Sequence, residues 1–200
     1  MKEAQEQPPE DWKGYQKVML TIDIVKANRI GLYLVLPVLL LYGLPFYLVH
    51  NGTTAVAETS WAFTWFAFLK WGVIFIGGIV AHELVHGITW ALFAKKGFRS
   101  IRFGVFWKML TPYCHCKEPL RVQYYLIGAI MPFIIVGFLP FVYAMATGST
   151  GWLFFGYFYT LGAVGDFMII YLLRNEKMTD YAQDHPSLPG CWVYRKVMDF

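Results

Sequence analysis

The sequence predicts an all-α membrane protein with about four transmembrane helices and a short β-strand element in the cytoplasmic loop between the second and third. Three observations predict it. Of 200 residues, 57% are hydrophobic and 19% aromatic, with a mean hydropathy of +0.44, more apolar than ordinary soluble domains. Residues 30–49, 71–81 and 123–165 carry no ionisable group other than Tyr, and about 20 such residues suffice to cross a bilayer. The basic residues are also segregated. Lys2, Lys13, Lys17, Lys26 and Arg29 precede the first apolar run, Lys95, Lys96, Arg99, Arg102, Lys108, Lys117 and Arg121 separate the second from the third, and Arg174, Lys177, Arg195 and Lys196 follow the last. Because Lys and Arg accumulate on the cytoplasmic side, both termini and the long middle loop are expected there. This charge tracks membrane edges and accompanies no binding motif, so the expected partners are the lipid bilayer and a membrane protein or peptide, with no nucleic acid.

Residues 1–29 read as a cytoplasmic segment: a polar tail with Pro8 and Pro9, then Val18, Met19, Leu20, Ile22, Ile24 and Val25 as an amphipathic lead-in helix along the membrane surface. Five basic and five acidic groups in this segment argue against a cleavable signal peptide. Residues 30–173 form the expected integral-membrane core and 174–200 a cytoplasmic tail. The first span, 30–49, contains Pro37 and Pro45, which membrane helices tolerate, and is assigned to packing. The outer loop after it begins at His50, read as interfacial. It carries Asn51-Gly52-Thr53, a glycosylation acceptor pattern relevant only in a eukaryotic secretory pathway.

From Trp61 to Ala94 the chain is apolar for 34 residues. As a helix this would extend roughly 50 Å and overshoot a ~30 Å hydrocarbon core. The span is therefore 68–94, with Trp61–Leu69 at the interface, Lys70 snorkelling outward, Lys95-Lys96 at the cytoplasmic end and Gly97 as C-cap. Within it stands Ala81-His82-Glu83-Leu84-Val85-His86-Gly87. Two histidines four apart share one helix face and can share a metal ion, while a glutamate directly after the first can act as general base on a water in the metal's open position. The alternative is two core histidines beside a buried glutamate, but polar residues deep in a membrane helix are rare and usually functional.

In the middle loop, Ile101, Phe103 and Val105 alternate with Arg102 and Gly104, a strand signal, and Pro112 and Pro119 punctuate the remainder of the loop. Such a strand offers an edge on which an extended peptide can add, the alternative being a basic loop folded against the membrane surface. Cys114-His115-Cys116, with Cys191 further on, is an incomplete zinc pattern and reads as ordinary reduced cysteines. The third span, 123–146, holds Gly128, Pro132, Gly137 and Pro140 and is not expected to be one straight helix. The fourth, 152–173, contains one charge, Asp166. Counted from the outer side, Asp166 lies about 21 Å deep and His82 about 18 Å. The match completes a His82, His86, Asp166 ligand set for zinc, with water as fourth ligand. Past the membrane edge, Asp184-His185-Pro186 reads as a turn or a surface dock, although either Asp184 or His185 is chemically able to ligate a metal.

The combination resembles the site-2 class of intramembrane metalloproteases. Still more closely it resembles a family of small membrane proteins described as zincin peptidases, through Ala81–Gly87, Thr111–Leu120, Ile127–Pro140 with Gly-Ala-Ile-Met-Pro, Gly165-Asp166 and Asp184-His185-Pro186. The site-2 resemblance implies zinc on His82, His86 and Asp166, Glu83 as base, and cleavage of a peptide bond within or near the bilayer. It also differs: the site-2 order places Gly after the Asp, whereas here Gly165 precedes Asp166 and Phe167 comes after it. The expected function is thus an intramembrane zinc metalloprotease. The competing reading is a non-catalytic zinc-binding scaffold or regulator, against which Glu83 argues because holding zinc does not require it. Transport is disfavoured by four spans with no inverted repeat.

Overall fold

The chain is seen in a computed structural model that describes residue 12 and residues 14–50, 65–107, 111–186 and 188–197. The tail with Pro8 and Pro9, the Asn51-Gly52-Thr53 pattern and residues 61–64 of the expected interfacial run lie outside the described residues. Three of the described helices are long and apolar enough to cross a membrane, and a bent pair makes a fourth if counted as one span. Side chains such as Leu32, Leu36, Val73 and Ile76 stand exposed on the first two, as lipid-facing residues would.

Helix α1 spans Ile24–His50 and is capped by Asp23, whose Oδ1 accepts the backbone N–H groups of Val25 (2.9 Å) and Lys26 (3.1 Å). Helix α2 spans Trp65–Phe93. The chain then turns at Gly97, whose φ of +57° suits a residue without Cβ and whose N–H donates to the Ala94 carbonyl at 3.0 Å. The third apolar run is wound in three ways: α3 (Val122–Pro132), a π-helical segment (Phe133–Phe138) and α4 (Leu139–Thr147). Pro140 has no N–H for the Val136 carbonyl, and its ring crowds that oxygen. The preceding turns widen, and the Leu139 N–H reaches back five residues to Ile134. The fourth run, expected as one helix, forms two, α5 (Thr150–Gly162) and α6 (Val164–Leu173), bent by 41° at Ala163. The bend puts Asp166 in the first turn of α6, where the aligned peptide dipoles favour a carboxylate.

The chain is mostly helical, as expected, and the strand expected between the second and third helices is present, but the all-α class needs amending because the helices carry two small antiparallel sheets. Strands β2 (Ile101–Phe106) and β3 (Thr111–Cys116) form a hairpin between α2 and α3 in chain order, with Phe103 opposite Cys114 and Ile101 opposite Cys116. A second sheet, in the order β1-β6-β5-β4, combines β1 (Tyr15–Thr21), β4 (Leu120–Arg121), β5 (Tyr181–Asp184) and β6 (Gly190–Lys196). Residues 18–21, expected in an amphipathic lead-in helix, are therefore strand: Val18 pairs with Val193 and Leu20 with Cys191. Seven residues are too few to separate a 2.0 from a 3.6 period, so the partner strand decides. At 184–186, expected as a turn or a surface dock, β5 ends in a turn, with the His185 N–H donating to the Gly190 carbonyl at 3.0 Å, and His185 is buried instead of docked at the surface. β5 and β6 close one end of the core, with Ala182, Cys191 and Val193 packed against Trp90, Val122 and Tyr125.

Candidate metal centre

His82, Glu83 and His86 ride on α2, and its four-residue step sets the two imidazoles 5.1 Å apart between ring centroids. Gly87, which ends the motif, has a packing reason to be glycine. A Cβ there would lie 2.5 Å from the Phe103 ring and 3.1 Å from Ile101, so the missing side chain lets the β2–β3 hairpin seat on α2 beside the histidines.

Asp166 meets both rings from α6. Its Oδ2 lies 3.2 Å from His82 Nε2 and its Oδ1 3.2 Å from His86 Nε2. The side chains of His82 and His86 are 12% and 6% exposed and that of Asp166 22%, so the cluster is recessed but open on one side. Ligand atoms of the three residues all lie within 4.8 Å of one another, and among the described residues they form the one group of three or more metal-ligating side chains so gathered.

The residues fit a divalent cation on a specific ground. His86 Nδ1 faces the Gly128 carbonyl at 2.9 Å; a carbonyl only accepts, so Nδ1 carries the proton and donates. In a neutral ring, Nε2 then presents a lone pair to Asp166 Oδ1 3.2 Å away, and two acceptors face each other. Asp166 Oδ2 is buried without a hydrogen bond; its 3.2 Å approach to His82 meets an ion-pair distance but not hydrogen-bond geometry. An imidazole lone pair facing one carboxylate oxygen, with the other oxygen unsatisfied, suits a cation between them. The Gly128 bond is the outer-shell contact that typically fixes tautomer and orientation of a ligating imidazole.

Around this point the structure adds groups that sequence spacing could not supply. Glu83 lies beside the backbone of Cys114 on β3, next to the histidines. His86 stacks on Trp90 (4.9 Å, 16°), and Trp90 stacks on Tyr125 of α3 (5.2 Å, 21°) while its Nε1–H donates to the Tyr125 carbonyl at 3.0 Å. Asp184, at the end of β5, accepts the Cys116 N–H through Oδ2 at 2.7 Å and the Tyr125 hydroxyl through Oδ1. Burial raises the Asp184 carboxyl above the ordinary carboxylate value, and these donors oppose that shift. The outward edge of β3 is largely closed: Asp184 takes the Cys116 N–H, Glu83 lies beside Cys114, and Pro112 has no N–H to offer.

The Cys114-His115-Cys116 triplet does not join the centre. All three cysteines are buried and free, and burial pushes Cys116 and Cys191 up to about 12 and Cys114 higher, so the thiols remain protonated at neutral pH. His185 is occupied in its own turn, where its Nδ1 accepts the Leu188 N–H at 2.9 Å.

A family model described as "Putative zincin peptidase" matches residues 75–181, just over half of the chain. The matched segment contains His82, Glu83, His86 and Asp166 and stops short of Asp184. No curated protein and no solved structure matches the chain.

Proposed function

The chain belongs to the putative zincin peptidase family, and from that premise we propose that it is an intramembrane zinc metallopeptidase, cleaving a membrane-embedded or membrane-adjacent protein. The observation that carries the reading is the convergence of His82, His86 and Asp166 with Glu83 alongside. His82, His86 and Asp166 are the zinc ligands. Bound there, zinc would polarise the scissile carbonyl and bring the pKa of a water down toward neutrality. Glu83, beside the Cys114 backbone, takes a proton from the attacking water and delivers it to the leaving amine, so the carboxylate is regenerated in each cycle. His86 keeps its proton on Nδ1 throughout, because the Gly128 carbonyl accepts it.

The intramembrane part rests on placement. His82 and His86 sit in the interior of a 29-residue apolar helix, and Asp166 in the second half of the bent pair. The skew of Lys and Arg puts both termini and the hairpin on the cytoplasmic side, from which water would enter. The hairpin remains the reading for where an extended substrate aligns, through β2, since β3 is engaged on its outward side.

The test is cleavage by purified protein in liposomes that also hold a single-span reporter. Products should appear with zinc, vanish with chelator and be absent with Glu83→Gln. Equal cleavage by Glu83→Gln would remove the general-base assignment. Full complementation of a deletion phenotype by Glu83→Gln would favour the scaffold reading instead.

A further inference from the structure

Asp184 lies outside the family-matched segment, on a strand of the small sheet, yet both its oxygens bond elements that flank the metal centre. Oδ2 takes the Cys116 N–H at 2.7 Å, and Oδ1 takes the Tyr125 hydroxyl. Each bond continues to a different functional residue. Cys116 ends β3, the strand whose Cys114 backbone lies beside Glu83 two residues earlier. Tyr125 is the base of the stack that rises through Trp90 to His86, and it stands one helical turn before Gly128, whose carbonyl holds His86 Nδ1. A single carboxylate thus fixes the relative position of β3 and α3, the two elements that orient the base and one metal ligand.

Resting on the zinc reading above, we propose that Asp184 is a positioning residue of the metal centre, setting Glu83 through β3 and His86 through Tyr125 and Trp90. A buried carboxylate with two donors suits this task. Removing it leaves the Cys116 N–H and the Tyr125 hydroxyl unpaired in the core, and the hairpin loses one of its ties to the sheet. The consequence is that the C-terminal strands belong to the working site and are not a detachable tail.

The alanine and asparagine variants separate positioning from mere support. In Asp184→Asn the amide oxygen can still accept the Cys116 N–H, and the NH2 can donate to the Tyr125 hydroxyl oxygen, so both links survive. In Asp184→Ala neither does. With the full chain in detergent, chelator competition should give a metal affinity about 10–100-fold lower for Asp184→Ala and within about threefold of wild type for Asp184→Asn. With cobalt in place of zinc, the visible ligand-field bands should shift in Asp184→Ala and return to the wild-type positions in Asp184→Asn. Should Asp184→Ala fail to fold, Tyr125→Phe removes one link alone and should shift the cobalt bands in the same direction. An Asp184→Ala, or in its stead a Tyr125→Phe, that melts earlier but keeps wild-type affinity and bands would reduce Asp184 to a structural residue and overturn the proposal. A wild-type chain that takes up no cobalt or zinc would instead overturn the zinc reading on which it rests.

Discussion

Replacing Gly128 with alanine tests the geometry of the centre without touching a ligand. A Cβ built there lies 2.0 Å from Trp90 Nε1 and 2.2 Å from its Cδ1, where carbon contacts settle near 3.5–4.0 Å. The indole cannot step aside. It is 4% exposed, flanked by His86 on one face and Tyr125 on the other, and bonded to the Tyr125 carbonyl. Helix α3 must therefore retreat from α2 by about 1.5 Å, the difference between these two separations. The 2.9 Å bond from His86 Nδ1 to Gly128 O then stretches beyond hydrogen-bonding range. Overpacking costs about 1–3 kcal/mol and the lost hydrogen bond about 1 kcal/mol. Alanine returns about 1 kcal/mol of helix propensity, so the net loss is about 1–3 kcal/mol. Losing the bond that orients a ligating imidazole lowers metal affinity about 10–100-fold. Chelator competition with purified protein measures the affinity, and a thermal-shift assay measures the stability. Zinc affinity within about twofold of wild type would refute the claim that Gly128 orients His86.

Other outcomes rest on the same contacts. Asp166→Ala should abolish tight zinc binding, since the two remaining imidazoles share α2 and nothing from α6 completes the set; metal analysis after dialysis reads it directly. Glu83→Gln should lower the cleavage rate about 10²–10⁴-fold while zinc remains bound, as measured with the liposome reporter and by metal content. The buried thiols give a pH prediction with a definite sign. Cys116 and Cys191 are raised from 9.0 to about 12 by burial, so the unfolded chain ionises first. The stability they lend is whole below about pH 9 and lost as pH rises toward 12, which unfolding curves across that window should show. For the same reason all three cysteines should resist alkylation at neutral pH until the protein unfolds, a property mass spectrometry can follow.

Much of the centre is legible in the chain because membrane insertion makes polar residues conspicuous. His82, Glu83, His86 and Asp166 are the titrating side chains, Tyr and Lys70 aside, of four long apolar runs, and counting depth along two helices brings His82 and Asp166 to the same level. The structure places their atoms 3.2 Å apart. The sheet is hidden for the opposite reason. Its strands are short, and β1 pairs with a segment some 170 residues later, so no local pattern in 15–21 or 190–196 announces the partner. Asp184 resembles the opening of a polar turn because its two donors, Cys116 N–H and Tyr125, come from a hairpin and a helix more than fifty residues away. The bend at Ala163 is also beyond local reading: Gly162 and Gly165 flank it, yet a Cβ on either would meet nothing within 4 Å, so neither is explained by close packing, and the break still brings Asp166 to the head of a helix.

The central claim is that this chain holds zinc on His82, His86 and Asp166, and metal content tests it most directly. Protein purified under gentle, chelator-free conditions should carry about one zinc per chain, the Glu83→Gln variant the same, and the His86→Ala variant far less. Wild-type protein with no bound metal under those conditions, or undiminished zinc in His86→Ala, would contradict the account.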